Sequence, residues 1–264
     1  MKGGIAKDVR VGGVDPTVLE SGQRRFIPPN AFREILLKIL VDLDKQANAT
    51  YTFDIAKPKF VFVDIVLNRC GVTDSIVPIG QFLDFVPSSL DNARLEIELS
   101  SLKKNQRMFY RNLFVPVRDN YDVVIFDLPP DLSHNTYLSS LFADTICIPT
   151  TADEYGVYGM KLTLSSLEGI QLEYPDLKQE VNIIWSKFDS REKSGHHYIT
   201  STQDIGVAHI MPVVIRSDVT FKHAQTKGKS VFQLSRRSNA KEDIDILAQE
   251  LIGLREFLAP KGTA

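Results

Sequence analysis

Short apolar runs rich in branched residues recur along the chain, each followed by polar turn residues and then by a stretch with helical spacing. The runs are "LKILVDLD", "FLDFVP" (82–87), "YDVVIFDLPP" (121–130), "DTICIPTT" (144–151) and "VNIIWSKFD" (181–189). Continuous rather than alternating apolarity is what a parallel strand covered on both faces requires. Amphipathic stretches at 89–118, 133–142, 156–173 and 239–257 lie between or after the runs. The last sets Ile244, Leu247, Leu251 and Leu254 on one side. Strand and helix alternate, which predicts a doubly wound, mostly parallel α/β sheet with helices on both faces. Such a sheet carries its chemistry at the C-terminal ends of its strands.

Two runs end in carboxylates. "LKILVDLD" stops at Asp42 and Asp44, which a strand's period of two sends to the same side. "VVIFDLPP" stops at Asp127, where the following Pro-Pro cannot continue a ladder. One such ending is ordinary turn chemistry. A second suggests a shared rim, because Mg²⁺ keeps most of its water and takes one or two protein oxygens. At the start of the chain "MKGGIAKD" sets Lys2, Gly3, Gly4 and Lys7 at phosphate-loop spacing, with Asp8 where a hydroxyl would normally ligate the metal.

In order, "ILVDLDKQANAT", "LDFVPSSLDNARLEIELSS", the block from "YDVVIFDLPPDLSH" to "LTLSSL", and "IRSDVTFKHAQTKGKSVFQLSRRSNAKEDIDILAQEL" resemble the ParA/Soj partition ATPases, the deviant Walker A branch of the P-loop proteins. The likeness runs over roughly 36 to 255. It implies Asp44 as the carboxylate that positions the attacking water, Asp42 and Asp127 near magnesium, and Lys7, Gly3 and Gly4 around the phosphates. Lys2 matches the lysine that reaches across a dimer. It further implies ATP and Mg²⁺ as cofactors, an ATP-bound homodimer, non-specific DNA and a ParB-like or adaptor protein that stimulates hydrolysis.

Several residues depart from the family pattern. Lys45 stands where a proline is usual, Ala6 replaces a glycine, and Asp8 adds negative charge beside the phosphates. No strand is expected ahead of the loop. "VRVGGVDPTVLESGQRRFIPPNAFRE" holds too many glycines and prolines for the expected long helix. Residues 1–35 therefore read as an atypical segment with a degenerate loop, before one ParA-like domain at 36–264. Whether that segment is an insertion, a rearranged N-terminus or a start without the first strand is left open. So is a second reading, a nucleotide-binding-defective pseudo-ATPase that acts as a binding or regulatory module.

Charge balances over the 264 residues, at 31 Lys+Arg against 33 Asp+Glu, so nucleic-acid binding needs a local patch. The C-terminal third supplies candidates, with Arg216, Lys222 and Lys229 foremost. Cys70 and Cys147 are too few for a disulfide framework, and Cys147 in an apolar run is expected to be a buried thiol. His196 and His197 lack metal-binding neighbours and are expected in a mobile polar loop. No signal peptide or spanning run is present, and the tail lacks a basic amphipathic ending, so a cytoplasmic, nucleoid-associated protein off the membrane is expected.

Overall fold

The computed structural model describes residues 5–9, 37–55, 57–100, 106–131, 133–202, 205–206, 208, 209–234 and 237–251. Lys2, Gly3, Gly4 and most of the atypical N-terminal segment lie outside the described residues.

The strands are β1 (Ile5–Val9), β2 (Lys38–Asp42), β3 (Val77–Gly80), β4 (Leu83–Val86), β5 (Val123–Asp127), β6 (Thr145–Thr151), β7 (Glu180–Phe188) and β8 (His209–Arg216). Five of them form one sheet in the order β1-β5-β2-β4-β3, and three form another in the order β6-β7-β8. β2 runs parallel to both β4 and β5, and β6, β7 and β8 are parallel throughout. The edge strand β3 is antiparallel to β4. β1 is antiparallel to β5 and also lies beside β6, so it occupies the seam between the two sheets.

The helices are α1 (Asn48–Thr52), α2 (Phe62–Val66), α3 (Leu95–Ser100), α4 (Gln106–Phe114), α5 (His134–Phe142), α6 (Glu154–Glu173), α7 (Lys193–Ser201), α8 (Val219–Thr226) and α9 (Asn239–Leu251). One apolar core joins both sheets to α2 through α6. Ile39, Val41, Phe126, Ile146 and Ile183 have no exposed surface, and rings from α4 and α5 cover the β5 face. Phe114 meets Phe126 edge-on with centroids 5.4 Å apart, and Phe142 meets it at 5.9 Å. A second cluster of Met211, Val213 and Ile215 takes Ile244, Leu247 and Leu251 of α9, the face read from their spacing.

Some local expectations differ from what is found. The stretch 89–118 is not one helix: a 3-10 turn at Leu90–Arg94 leads into α3, and α4 is separate. His196 and His197 sit on α7 rather than in a loop, because the ring of His196 packs edge-on against Phe188, with centroids 5.0 Å apart. Cys147 is buried as expected.

Candidate functional site

The strand register brings two acidic ends together. Asp42 and Asp127 are direct partners in the parallel pairing of β2 with β5, and the Leu43 N–H donates to the Asp127 carbonyl at 2.9 Å. Asp44 follows on the loop that leaves β2, so all three residues share one rim of the sheet.

The loop is held from inside. Asp42 has no exposed surface, and one of its oxygens, Oδ2, accepts from the Thr50 N–H at 3.0 Å and from the Thr50 hydroxyl at 2.8 Å. Its Oδ1 accepts from the Asp44 N–H at 3.1 Å. Burial pushes the Asp42 carboxyl above its usual range, and the bonds from Thr50 and Asp44 pull against that. Asp44 in turn accepts from the Gln46 N–H at 2.9 Å, and its carbonyl accepts from the Ser88 hydroxyl. The chain then passes through Ala47 at φ 50°, a left-handed conformation, into α1.

A polar layer below extends the clamp. The Ser88 N–H donates to Thr50 Oγ1 at 2.9 Å, Asn92 donates to Ser88 Oγ at 2.7 Å, and Tyr110 donates to Asn135. All four of Thr50, Ser88, Asn92 and Asn135 are buried. Sequence reasoning missed them. "QANAT" and "VPSS" contained Thr50 and Ser88, but nothing along the chain tells a buried hydroxyl from a solvated one.

Asp42, expected near a magnesium ion, is held by its own loop. Both its oxygens are engaged within the chain and the side chain is shut off from solvent. Its place is that of a clamp. Asp127 is half-buried at the same rim, and Asp44 Oδ2 accepts no hydrogen bond among the described residues. A cavity of about 110 Å³ opens beside them, lined by Leu43, Lys45, Asn92, Glu96, Pro129 and Asn135 among others. It brings exposed Lys45, the departure from the family's proline, to the rim.

The phosphate half of the expected site differs more. Residues 5–9 form a strand, not a loop opening into a helix, and Lys7 stands opposite Val124. That is three residues, about 10 Å, along β5 from Asp127. In this arrangement the backbone at Lys7 and Asp8 lies within the sheet, away from the rim. The physical reason is that the free edge of β5 leaves backbone donors and acceptors to be paired, and residues 5–9 pair them.

Of the predicted DNA contacts, Lys222 lies on α8 and Lys229 just after it, and both are exposed. Arg216 is half-exposed and held against α9. Its Nε donates to Asp243 Oδ2 at 3.0 Å, its backbone N–H donates to the same oxygen at 2.8 Å, and its guanidinium also meets Glu242 at 3.2 Å. Asp243 is buried, so Arg216 ties the end of β8 to α9 and its charge is largely neutralised.

Mostly parallel sheets with helices on both sides and acidic strand ends at one rim define a P-loop NTPase type of protein. A family profile described as an AAA domain matches residues 31–183, more than half of the chain. The chain belongs to that family, as a ParA/MinD-type partition ATPase homologue. It is 25% identical over 232 residues to the cell division protein PomZ of Myxococcus xanthus, covering 85% of this chain and 72% of PomZ. It is 28% identical over 218 residues to the sporulation initiation inhibitor protein Soj of Bacillus subtilis, covering 81% of this chain and 85% of Soj. Among solved structures, a plasmid partition protein of Borrelia burgdorferi bound to AMPPNP superposes with a TM-score of 0.67 at 17% identity, over 95% of this chain and 97% of that one. At that identity the likeness concerns the fold. No helix among the described residues is long and apolar enough to cross a membrane.

Proposed function

We propose that this protein is a partition or positioning ATPase that binds ATP with Mg²⁺ at the rim shared by Asp42, Asp44 and Asp127. The observation that carries the reading is the register of β2 and β5, which sets Asp127 beside the clamped loop of Asp42 and Asp44. The carboxylate set suits a magnesium ion, which takes few protein oxygens and keeps its waters. When bound, the ion neutralises phosphate charge. Asp127 is the carboxylate best placed to hold it, with Asp44 orienting a water and Asp42 holding the loop that carries Asp44. Phosphoryl transfer asks mainly for such positioning.

In this reading ATP draws two copies together, with Lys2, Gly3 and Gly4 around the phosphates and Lys2 reaching across. The dimer binds DNA without sequence preference through Lys222 and Lys229, acts in the cytoplasm on the nucleoid, and is stimulated by a ParB-like or adaptor protein. Lys7 and Asp8 join the site only once residues 5–9 leave the sheet.

The pairing of residues 5–9 with β5 favours a second reading, a nucleotide-defective relative that uses the same sheet as a binding or regulatory module. Calorimetry with ATP and Mg²⁺ separates the two. Binding that Lys7→Ala abolishes, with turnover that Asp44→Ala abolishes, supports the ATPase; absence of binding heat in the unaltered protein supports the module.

A further inference from the structure

The loop that leaves β2 turns on Lys45. The Ala47 N–H donates to the Asp44 carbonyl at 2.9 Å, which closes a tight turn with Lys45 at its second position. The same carbonyl accepts from the Ser88 hydroxyl, and Asp42 and Thr50 hold the loop from beneath, so the backbone under Lys45 is fixed. That second position suits proline, whose ring presets the turn, and a lysine there adds nothing to the turn itself. What it adds is an ammonium group on a flexible stem.

The Lys45 side chain is exposed and lines the cavity between the loops that leave β2 and β5. Among the described residues of that lining it is the one cation. The two acids of the lining are turned to other tasks: Glu96 accepts the His134 N–H at 2.8 Å, and Asp131 accepts the Ser133 N–H at 3.3 Å. Lys45 forms no ion pair or hydrogen bond among the described residues. Its ammonium therefore stands uncommitted at a rim that otherwise gathers carboxylates. Lys7, the cation expected here, stands opposite Val124, about 10 Å along β5 from Asp127.

We propose that Lys45 binds the terminal phosphate of the nucleotide, with its ammonium beside the water that Asp44 orients. The inference rests on the ATPase reading of the rim and adds to it a phosphate-binding residue. A triphosphate brings more negative charge than one magnesium ion offsets, and the charge spreads over the outer phosphoryl oxygens during transfer. A cation held in advance on a fixed turn neutralises it without reorganisation. Lys45 adjoins Asp44, so the phosphate it meets is the one the water attacks.

Calorimetry of the full chain with AMPPNP and with ADP, each with Mg²⁺, tests this. Only AMPPNP carries the terminal phosphate. Lys45→Ala is expected to weaken AMPPNP binding about tenfold to a hundredfold and to leave ADP within about twofold. Lys45→Pro keeps the turn and removes the ammonium, and is expected to match Lys45→Ala. Lys45→Arg keeps the charge and is expected to hold most of the affinity. Urea midpoints equal to that of the unaltered protein show that the variants are folded. An AMPPNP affinity unchanged in Lys45→Ala, equal losses for AMPPNP and ADP, or a Lys45→Pro that binds AMPPNP as well as the unaltered protein overturns the proposal and leaves the ATPase reading standing. An unaltered protein that binds neither nucleotide overturns both.

Discussion

The carboxylate of Asp42 accepts two hydrogen bonds from Thr50, one from its backbone N–H at 3.0 Å and one from its hydroxyl at 2.8 Å. The same hydroxyl oxygen accepts from the Ser88 N–H, so one buried threonine joins the loop after β2 to the end of β4. Thr50→Val keeps the volume and removes the hydroxyl. It leaves a buried carboxylate short of one donor and Ser88 short of its acceptor. A loss of about 2–3 kcal/mol is expected, seen as a lower urea midpoint with an unchanged slope.

The pH dependence of stability should carry two signs. Asp42 is raised by burial, so its folded form binds a proton more readily than the unfolded chain. Its contribution is complete below the ordinary aspartate range and is lost as pH rises through the raised value. Asp153 is lowered, first by the Thr151 hydroxyl and then by the Gly156 N–H at the start of α6. Its contribution is present above the ordinary range and is lost as pH falls through the lowered value. Urea midpoints measured against pH should show Asp42→Asn flattening a decline above about pH 4, and Asp153→Asn flattening a decline below it.

Arg216 and the lysines of the α8 region should separate cleanly. Arg216→Ala strips the buried Asp243 of its charged partner and is expected to lower stability by about 2–3 kcal/mol. Lys222→Ala and Lys229→Ala should leave the unfolding midpoint within about 0.5 kcal/mol of the unaltered protein. On DNA, each lysine that meets a phosphate should reduce the slope of log affinity against log salt by about 1 when removed. Filter binding at several salt concentrations measures it.

The strand at 5–9 can be pinned. Ala6 and Ile125 are partners in the pairing of β1 with β5, so cysteines at both, in a background of Cys70→Ser and Cys147→Ala, can form a disulfide. The oxidised protein should fail to bind ATP in calorimetry, and reduction should restore binding. An oxidised form that binds as tightly as the reduced one would remove residues 5–9 from the nucleotide site.

The chain's own pattern determined the alternation of strand and helix and the acidic strand ends, because burial on both faces of a sheet demands continuous apolar runs, and a carboxylate stops such a run visibly. It also determined the inner face of α9, since helical spacing alone puts Ile244, Leu247 and Leu251 together. Only the tertiary structure decided which carboxylate is tied up. Asp42 and Asp44 look alike in sequence and both are buried, but Asp42 alone takes the N–H and the hydroxyl of Thr50. Arg216 is tied to Asp243, 27 residues away, and residues 5–9 became a strand because a neighbouring β5 offered unpaired backbone. Such outcomes depend on hydrogen-bond partners distant along the chain, which local periodicity does not encode.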